Sequence, residues 1–214
     1  MAALLDSLHL PNGTDDVLDV GCGAGGMAGE LSRRMGPNAR YVGFDVHAPS
    51  IRWCREFFRD DPRLCFELAD VAPPDGLGSA GSAAAPYRFP MQSGGAGFVL
   101  AKSLFTHLLE PEARHYLREI GRTLKGGEGH GAVVTAFLFD ARSFASERAR
   151  RVFRHGGERV RWRRFYRPTA AVAYDRSLFE EMVREAGLRV LWTSLHFYPG
   201  SDRLRAQDIL LLGH

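Results

Sequence analysis

No stretch of about 18 consecutive apolar residues occurs in the sequence, so it offers no helix of membrane-spanning length. Its first residues, Met1-Ala-Ala-Leu-Leu-Asp-Ser, lack the basic start and long apolar stretch of a signal peptide, and the expectation is a cytoplasmic protein. Cysteine is scarce. Cys22, Cys54 and Cys65 have no CxxC spacing and leave one unpaired in any disulfide scheme, which fits reduced thiols and argues against a zinc site built from them. Internal repeats and a clear second domain are also missing. At 214 residues, with 45% apolar and 25% charged residues, the chain suits one globular domain with a sizeable core.

Net charge is small, +3, but unevenly spread. Ten arginines lie between Arg142 and Arg167 against Glu147 and Glu158, so that segment carries +8 and the remainder −5. Such asymmetry marks either an anion-binding surface or a solvated basic face.

Largely apolar runs at Val17–Val20, Arg40–Val46, Leu64–Leu68, Phe98–Ala101, Ala132–Phe139, Val190–Ser194 and Asp208–Leu212 read as seven strands. Helical spacing separates most of them. Met27, Ala28, Leu31 and Met35 form one stripe, and Ile51, Cys54, Phe57 and Phe58 a second, behind a possible Ser50 cap. A third runs through Ala113, Tyr116, Leu117, Ile120 and Leu124 behind Pro111, and Ser177 opens a fourth that Gly187 stops. Alternating strands and helices predict a doubly wound, mostly parallel α/β sheet with helices on both faces. The last two strands have no helix between them, which predicts an antiparallel C-terminal hairpin. Residues 72–97, rich in Gly, Ala, Pro and Ser, read as a long loop.

The first strand runs into Gly21-x-Gly23-x-x-Gly26, which lets backbone approach a ligand at a helix N-terminus. Alone, this matches a dinucleotide site equally well. The neighbouring acids separate the readings. Asp19, two residues before Gly21, suits an ammonium and would repel a pyrophosphate. Asp45, 24 residues after Gly21 at the end of the second strand, can accept ribose hydroxyls in either case. Asp70, with Val71, offers a carboxylate and an apolar contact for an adenine at the end of the third strand.

The sequence resembles the bacterial class I S-adenosylmethionine (SAM)-dependent methyltransferases of small-molecule type. The likeness rests on Val17-Leu-Asp-Val-Gly-Cys-Gly-Ala-Gly, Tyr41-Val-Gly-Phe-Asp-Val, Ala69-Asp-Val, Ser103-Leu-Phe-Thr-His-Leu and Gln207-Asp-Ile-Leu, and covers most of the chain. It implies a Rossmann-like fold and SAM as cofactor. By position it implies that Asp19, Gly21, Cys22 and Gly23 line the methionine end, that Asp45 and Val46 hold the ribose and flank the adenine, and that Asp70 and Val71 bind the adenine. Lys102 and Ser103 would lie beneath the cofactor, near the transferable methyl group.

The chain departs from such relatives in three places. Ala96-Gly97 stands where they usually have Phe-Asp, and Lys125-Gly-Gly-Glu-Gly-His replaces the Lys-Pro-Gly-Gly turn; both changes are expected to loosen loops. Sixteen residues precede the first strand, where relatives often carry a helical lid. The site is then open, covered by another segment, or short of part of its chain.

Methyl transfer from a sulfonium needs chiefly a nucleophile held about 3 Å from the methyl carbon and exclusion of water. His107 is the candidate base or substrate-orienting group, against the alternative of a structural histidine bonded to backbone. Tyr166, Tyr174, His155 and His196 fall where substrate loops lie in such folds. Residues 140–175 read as a substrate lid, whose arginines suit an acceptor bearing phosphate or carboxylate. An RNA-directed methyltransferase is the rival, weakened because Ala101-Lys-Ser-Leu stands where nucleic-acid amino-methyltransferases carry Asn/Asp-Pro-Pro-Tyr/Phe. A SAM-fold binding protein without turnover is the non-enzymatic alternative.

Overall fold

The computed structural model describes residues 5–6, 10–11, 13–70, 87–140, 151–195 and 207–214. Val71, His196, Arg142, Arg148 and Arg150 lie outside these, as does much of the 72–97 stretch. Seven strands form the expected sheet: β1 (Asp16–Val20), β2 (Tyr41–Asp45), β3 (Leu64–Leu68), β4 (Ala96–Ala101), β5 (Gly131–Phe139), and two C-terminal strands, Arg189–Ser194 and Asp208–Gly213. Between β5 and that pair come three shorter strands that the sequence did not announce: β6 (His155–Gly156), β7 (Val160–Trp162) and β8 (Val172–Asp175). The C-terminal pair is therefore β9 and β10. Four helices lie wholly within the described residues, α1 (Ala28–Arg34), α2 (Ala48–Phe57), α3 (Glu110–Thr123) and α4 (Arg176–Glu185), with one-turn 3₁₀ segments at Phe105–His107 and Pro168–Ala170.

The order along the main sheet is β3-β2-β1-β4-β5-β10-β9. Strands β3 to β5 pair in parallel, and β10 is antiparallel to both neighbours. The expected C-terminal hairpin is thus present, with β10 inserted between β5 and the edge strand β9. Chain order reverses between β1 and β4, and in open α/β sheets the crevice at such a switch point is where ligands bind.

Alternation along the strands sends successive side chains to opposite faces. Val17, Phe98, Leu100 and Val133 pack with Leu31, Ile51 and Cys54 under α1 and α2. Leu18, Val99, Ala101 and Val134 pack with Leu117, Ile120, Phe179 and Met182 under α3 and α4. Both faces of β4 are covered and all six of its residues are buried, which is why it reads as an unbroken apolar run.

Strand β5 is shared. Its residues Ala132–Ala136 pair with β10, and Phe137–Phe139 pair with β8. Where the partners change, the buried Asp208 carboxylate accepts from Leu138 N at 2.8 Å. The β6–β7–β8 branch is thereby carried at the carboxyl end of β5, on the same end of the sheet as the crevice.

Several local expectations are corrected. Helix α4 is capped by Asp175, whose carboxylate accepts from Leu178 N at 3.2 Å, while Ser177 donates its hydroxyl to that same carboxylate. Helix α2 starts after His47, and Ser50 sits inside its first turn with its hydroxyl 2.7 Å from the His47 ring. Phe57 faces outward at 62% exposure and stacks on Trp53, while Ile51 and Cys54 of that stripe are buried and Phe58 packs against the core on Phe66. Strand β4 begins at Ala96, and Gly97 loosens nothing. A Cβ at position 97 would lie 2.3 Å from the Cβ of Asp15, so the glycine makes room for that side chain. The Asp15 carboxylate there binds the Lys125 ammonium and lies 3.1 Å from His130 Nε2, while His130 Nδ1 is 2.9 Å from the Gly126 carbonyl. The lengthened turn is tied down.

Candidate active site

The turn after β1 is held by backbone bonds to the end of β2. Gly21 N and Cys22 N both donate to the Phe44 carbonyl, at 2.9 and 3.0 Å. Gly21 has φ +73, and a Cβ there would press on Leu104 Cδ1 at 3.1 Å. Gly23 N donates to Asp45 Oδ2 at 2.9 Å, and His47 N donates to Asp45 Oδ1 at 2.8 Å. The glycine motif and the second-strand acid, 22 residues apart in the chain, are joined directly.

These groups open onto a cleft of about 250 Å³ lined by Gly21, Phe44, Asp45, Val46, Leu104 and Tyr116. The cleft lies at the carboxyl ends of β1, β2 and β4. Val46 stands 45% exposed beside it. Phe44, Leu104 and Tyr116 are missing from the site read from sequence. Tyr116 belongs to the apolar stripe of α3, and its half-burial is the only sign that it does more than pack.

The other anticipated residues divide into groups. Asp19 lies beneath the cleft, 3% exposed, and accepts from the Tyr41 hydroxyl at 2.7 Å. Burial pushes its carboxyl up to about 6, against the opposing pull of the Tyr41 hydrogen bond and the Lys102 charge. Cys22 is buried, and desolvation, with the Asp19 charge nearby, pushes its thiol up. Asp70 is exposed beyond the end of β3 and is not among the residues that line the cleft, although Ala69 N next to it donates to the Asp45 carbonyl at 2.9 Å. Lys102 is exposed and Ser103 half-buried, at the turn after β4.

His107 follows in the 3₁₀ segment, with Nδ1 2.8 Å from the Thr169 carbonyl. A carbonyl only accepts, so Nδ1 carries the proton of the neutral ring and Nε2 keeps its lone pair. The backbone bond of the structural reading is therefore present, and the second nitrogen stays available to a proton. Tyr174 is a core residue. It is fully buried and donates to the Phe105 and Leu108 carbonyls at 3.0 and 2.5 Å. Tyr166, 95% exposed, touches the edge of Phe165, which is 65% exposed and packs on the His155 ring. Arg163 and Arg164 beside them are exposed, whereas Arg159 is paired with Glu181 at 2.7 Å. Among the described residues, no group of three or more His, Cys, Asp or Glu is arranged to hold a metal ion, and no helix is long and apolar enough to cross a membrane.

Comparison with known proteins agrees with this architecture. The chain is 25% identical over 130 residues to an uncharacterized 37.1 kDa protein in transposon TN4556 of Streptomyces fradiae, a match covering 58% of this chain and 33% of that protein. It superposes on the 4+2 cyclase SpnF with a TM-score of 0.58 and 22% identity, covering 90% of this chain and 58% of the cyclase. It likewise matches an O-methyltransferase of neocarzinostatin biosynthesis, solved with SAM and 2-hydroxy-5-methyl naphthoic acid. There the TM-score is 0.60 at 17% identity, over 99% of this chain and 51% of that one. The chain thus spans between a third and three fifths of these proteins' lengths. At such identities the structural likeness concerns the fold, and the cyclase illustrates that this fold serves more than one reaction. A family model described as a methyltransferase domain matches residues 17–127, just over half of the sequence and the part that holds the glycine turn, Asp45 and the turn after β4. The chain belongs to that methyltransferase domain family.

Proposed function

We propose that the protein binds SAM in the cleft and transfers its methyl group to a small, anionic acceptor. The observation that carries the cofactor reading is the state of Asp45. Its two oxygens each receive one backbone N–H, from Gly23 and His47, which aims the carboxylate into the cleft. A carboxylate has about four acceptor positions, so two stay open for a pair of ribose hydroxyls. Phe44, Val46, Leu104 and Tyr116 supply apolar surface for the nucleoside part of the cofactor. The exposed Val46 is the natural face for an adenine, with Asp70 and Val71 the candidates for its edge.

When bound, SAM supplies an electrophilic methyl group on a sulfonium. The chain's own part is to hold, orient and dry the acceptor. Lys102 and Ser103 occupy the turn nearest that chemistry. His107, with Nδ1 engaged by Thr169 and Nε2 open, is the candidate base for an acceptor that must lose a proton. The β6–β7–β8 branch serves as the acceptor lid. Its exposed Phe165 and Tyr166 beside Arg163 and Arg164 suit an aromatic or otherwise planar acid, because guanidinium groups pair bidentately with carboxylate and phosphate. The neocarzinostatin O-methyltransferase is solved in complex with an acid of that kind, 2-hydroxy-5-methyl naphthoic acid.

Titration calorimetry with SAM, S-adenosylhomocysteine and NAD tests the cofactor. Saturable binding of the first two and none of NAD is expected, and preference for NAD overturns the reading. Labelled SAM incubated with small-molecule extracts then tests the acceptor. Label is expected in acidic compounds, and replacing Arg161, Arg163 and Arg164 by Ala should raise acceptor KM without changing SAM affinity. SAM binding with no labelled product from any extract would favour a binding protein or, as in the cyclase, another reaction on the same fold. Label in RNA alone would favour the nucleic-acid alternative.

A further inference from the structure

Ser103 has φ +59, a left-handed conformation that a residue with a side chain rarely adopts. It lies immediately before Leu104, which lines the cleft and packs against the Gly21 turn. Strained backbone at such a point persists only where its surroundings hold it. Two residues from other strands do so. Ser103 N donates to Thr135 Oγ1 at 2.7 Å, and Thr135, 3% exposed in the middle of β5, passes its own hydroxyl proton to Gln207 Oε1. Gln207, immediately before β10, returns its amide Nε2 to Ser103 Oγ at 3.0 Å. The ring of bonds is closed: the Ser103 amide is fixed by Thr135, and the Ser103 hydroxyl is held by both ends of the Gln207 amide, Nε2 and, at 3.2 Å, Oε1.

We propose that Gln207 and Thr135 are positioning residues for the cofactor cleft, acting through Ser103. They lie 104 and 32 residues from Ser103 in the chain, outside the glycine turn and the strand-end acids. Fixing Ser103 in the left-handed conformation sets Leu104 over Gly21, and so sets one wall of the cleft against the other before any ligand arrives. A preorganised wall spares the ordering cost on binding. The inference rests on the cleft being the SAM site.

Calorimetric titration of SAM into the intact chain tests it. Gln207→Leu and Thr135→Val are expected to weaken SAM binding about tenfold, the effect of losing one hydrogen bond. Thr135→Ser, which keeps the hydroxyl, should bind like the wild type. Ser103→Gly adopts the left-handed conformation freely and removes the hydroxyl, so adding Gln207→Leu to it should cost less than about twofold more, as two residues acting through one contact do not add. Melting temperatures identify any variant that fails to fold, and Thr135→Ser with Ser103→Gly carries the test in that case. Equal SAM affinity in wild type, Gln207→Leu and Thr135→Val overturns the positioning role alone. Full multiplication of the Gln207→Leu and Ser103→Gly losses overturns the route through Ser103. Failure of the wild type to bind SAM overturns the cofactor reading together with this one.

Discussion

The glycine turn between β1 and β2 and the arginine-rich branch β6–β7–β8 stand at the same end of the sheet and are built on opposite principles. In the turn, almost every polar group is satisfied internally: Gly21 and Cys22 by Phe44, Gly23 by Asp45, Asp19 by Tyr41. In the branch, chemistry is displayed outward. Phe165 and Tyr166 are mostly exposed, Arg163 and Arg164 face solvent, and contact with the turn after β4 includes the Thr169 carbonyl on His107. A preformed, internally bonded surface suits one invariant ligand, and an exposed, charged one suits a ligand that completes it on arrival. The contrast matches the proposed division of the site into a cofactor side and an acceptor side.

The sharpest way to break that contrast is to change what is buried under the turn. Asp19 binds its proton more tightly in the folded protein than in the unfolded chain, with a pKa of about 6 against an ordinary value of 3.8. Between those values the folded state holds the extra proton, so the stability linked to Asp19 is present below about pH 4 and falls as pH rises to about 6. Full ionisation costs on the order of 3 kcal/mol by that shift. Asp19→Asn should therefore gain on the wild type by about that amount between pH 4 and pH 7, read from urea midpoints at both. A constant difference across that range would place the burden elsewhere.

A smaller effect is expected at the wall of the cleft. Asp45→Ala strips the acceptor from Gly23 N and His47 N and should weaken SAM binding by about 2 kcal/mol, or roughly 30-fold, in calorimetry. The smallest effect belongs to the branch. Arg163→Ala with Arg164→Ala removes exposed side chains and should leave stability within about 0.5 kcal/mol in urea unfolding, while acceptor binding falls. A large loss of stability in that variant would show these arginines to be structural and erase the contrast.

Periodicity together with cap and stop residues located the seven main strands and the four helices, and the glycine spacing located the turn. Each rests on local spacing, and strand alternation and helical stripes survive in any tertiary context that covers both faces of a sheet. Asp45 was legible for the same reason, as the acid that ends the second buried run. The branch was not: β6 and β7 are two and three residues long, too short for a period, and the arginines among them mask any pattern. Caps misread by two and three residues, Asp175 for Ser177 and His47 for Ser50, reflect how many side chains near a helix start can do the same job.

The sequence by itself determined a doubly wound sheet with a ligand turn after β1 and an acid at the end of β2. Only the tertiary structure decided that Asp45 stands on the wall of the cleft while Asp19 lies beneath it against Tyr41, that Tyr116 of α3 closes the cleft, and that Thr135 and Gln207 hold Ser103. Each of these joins residues on separate elements, and which side chains meet there depends on strand order and register rather than on any spacing along the chain.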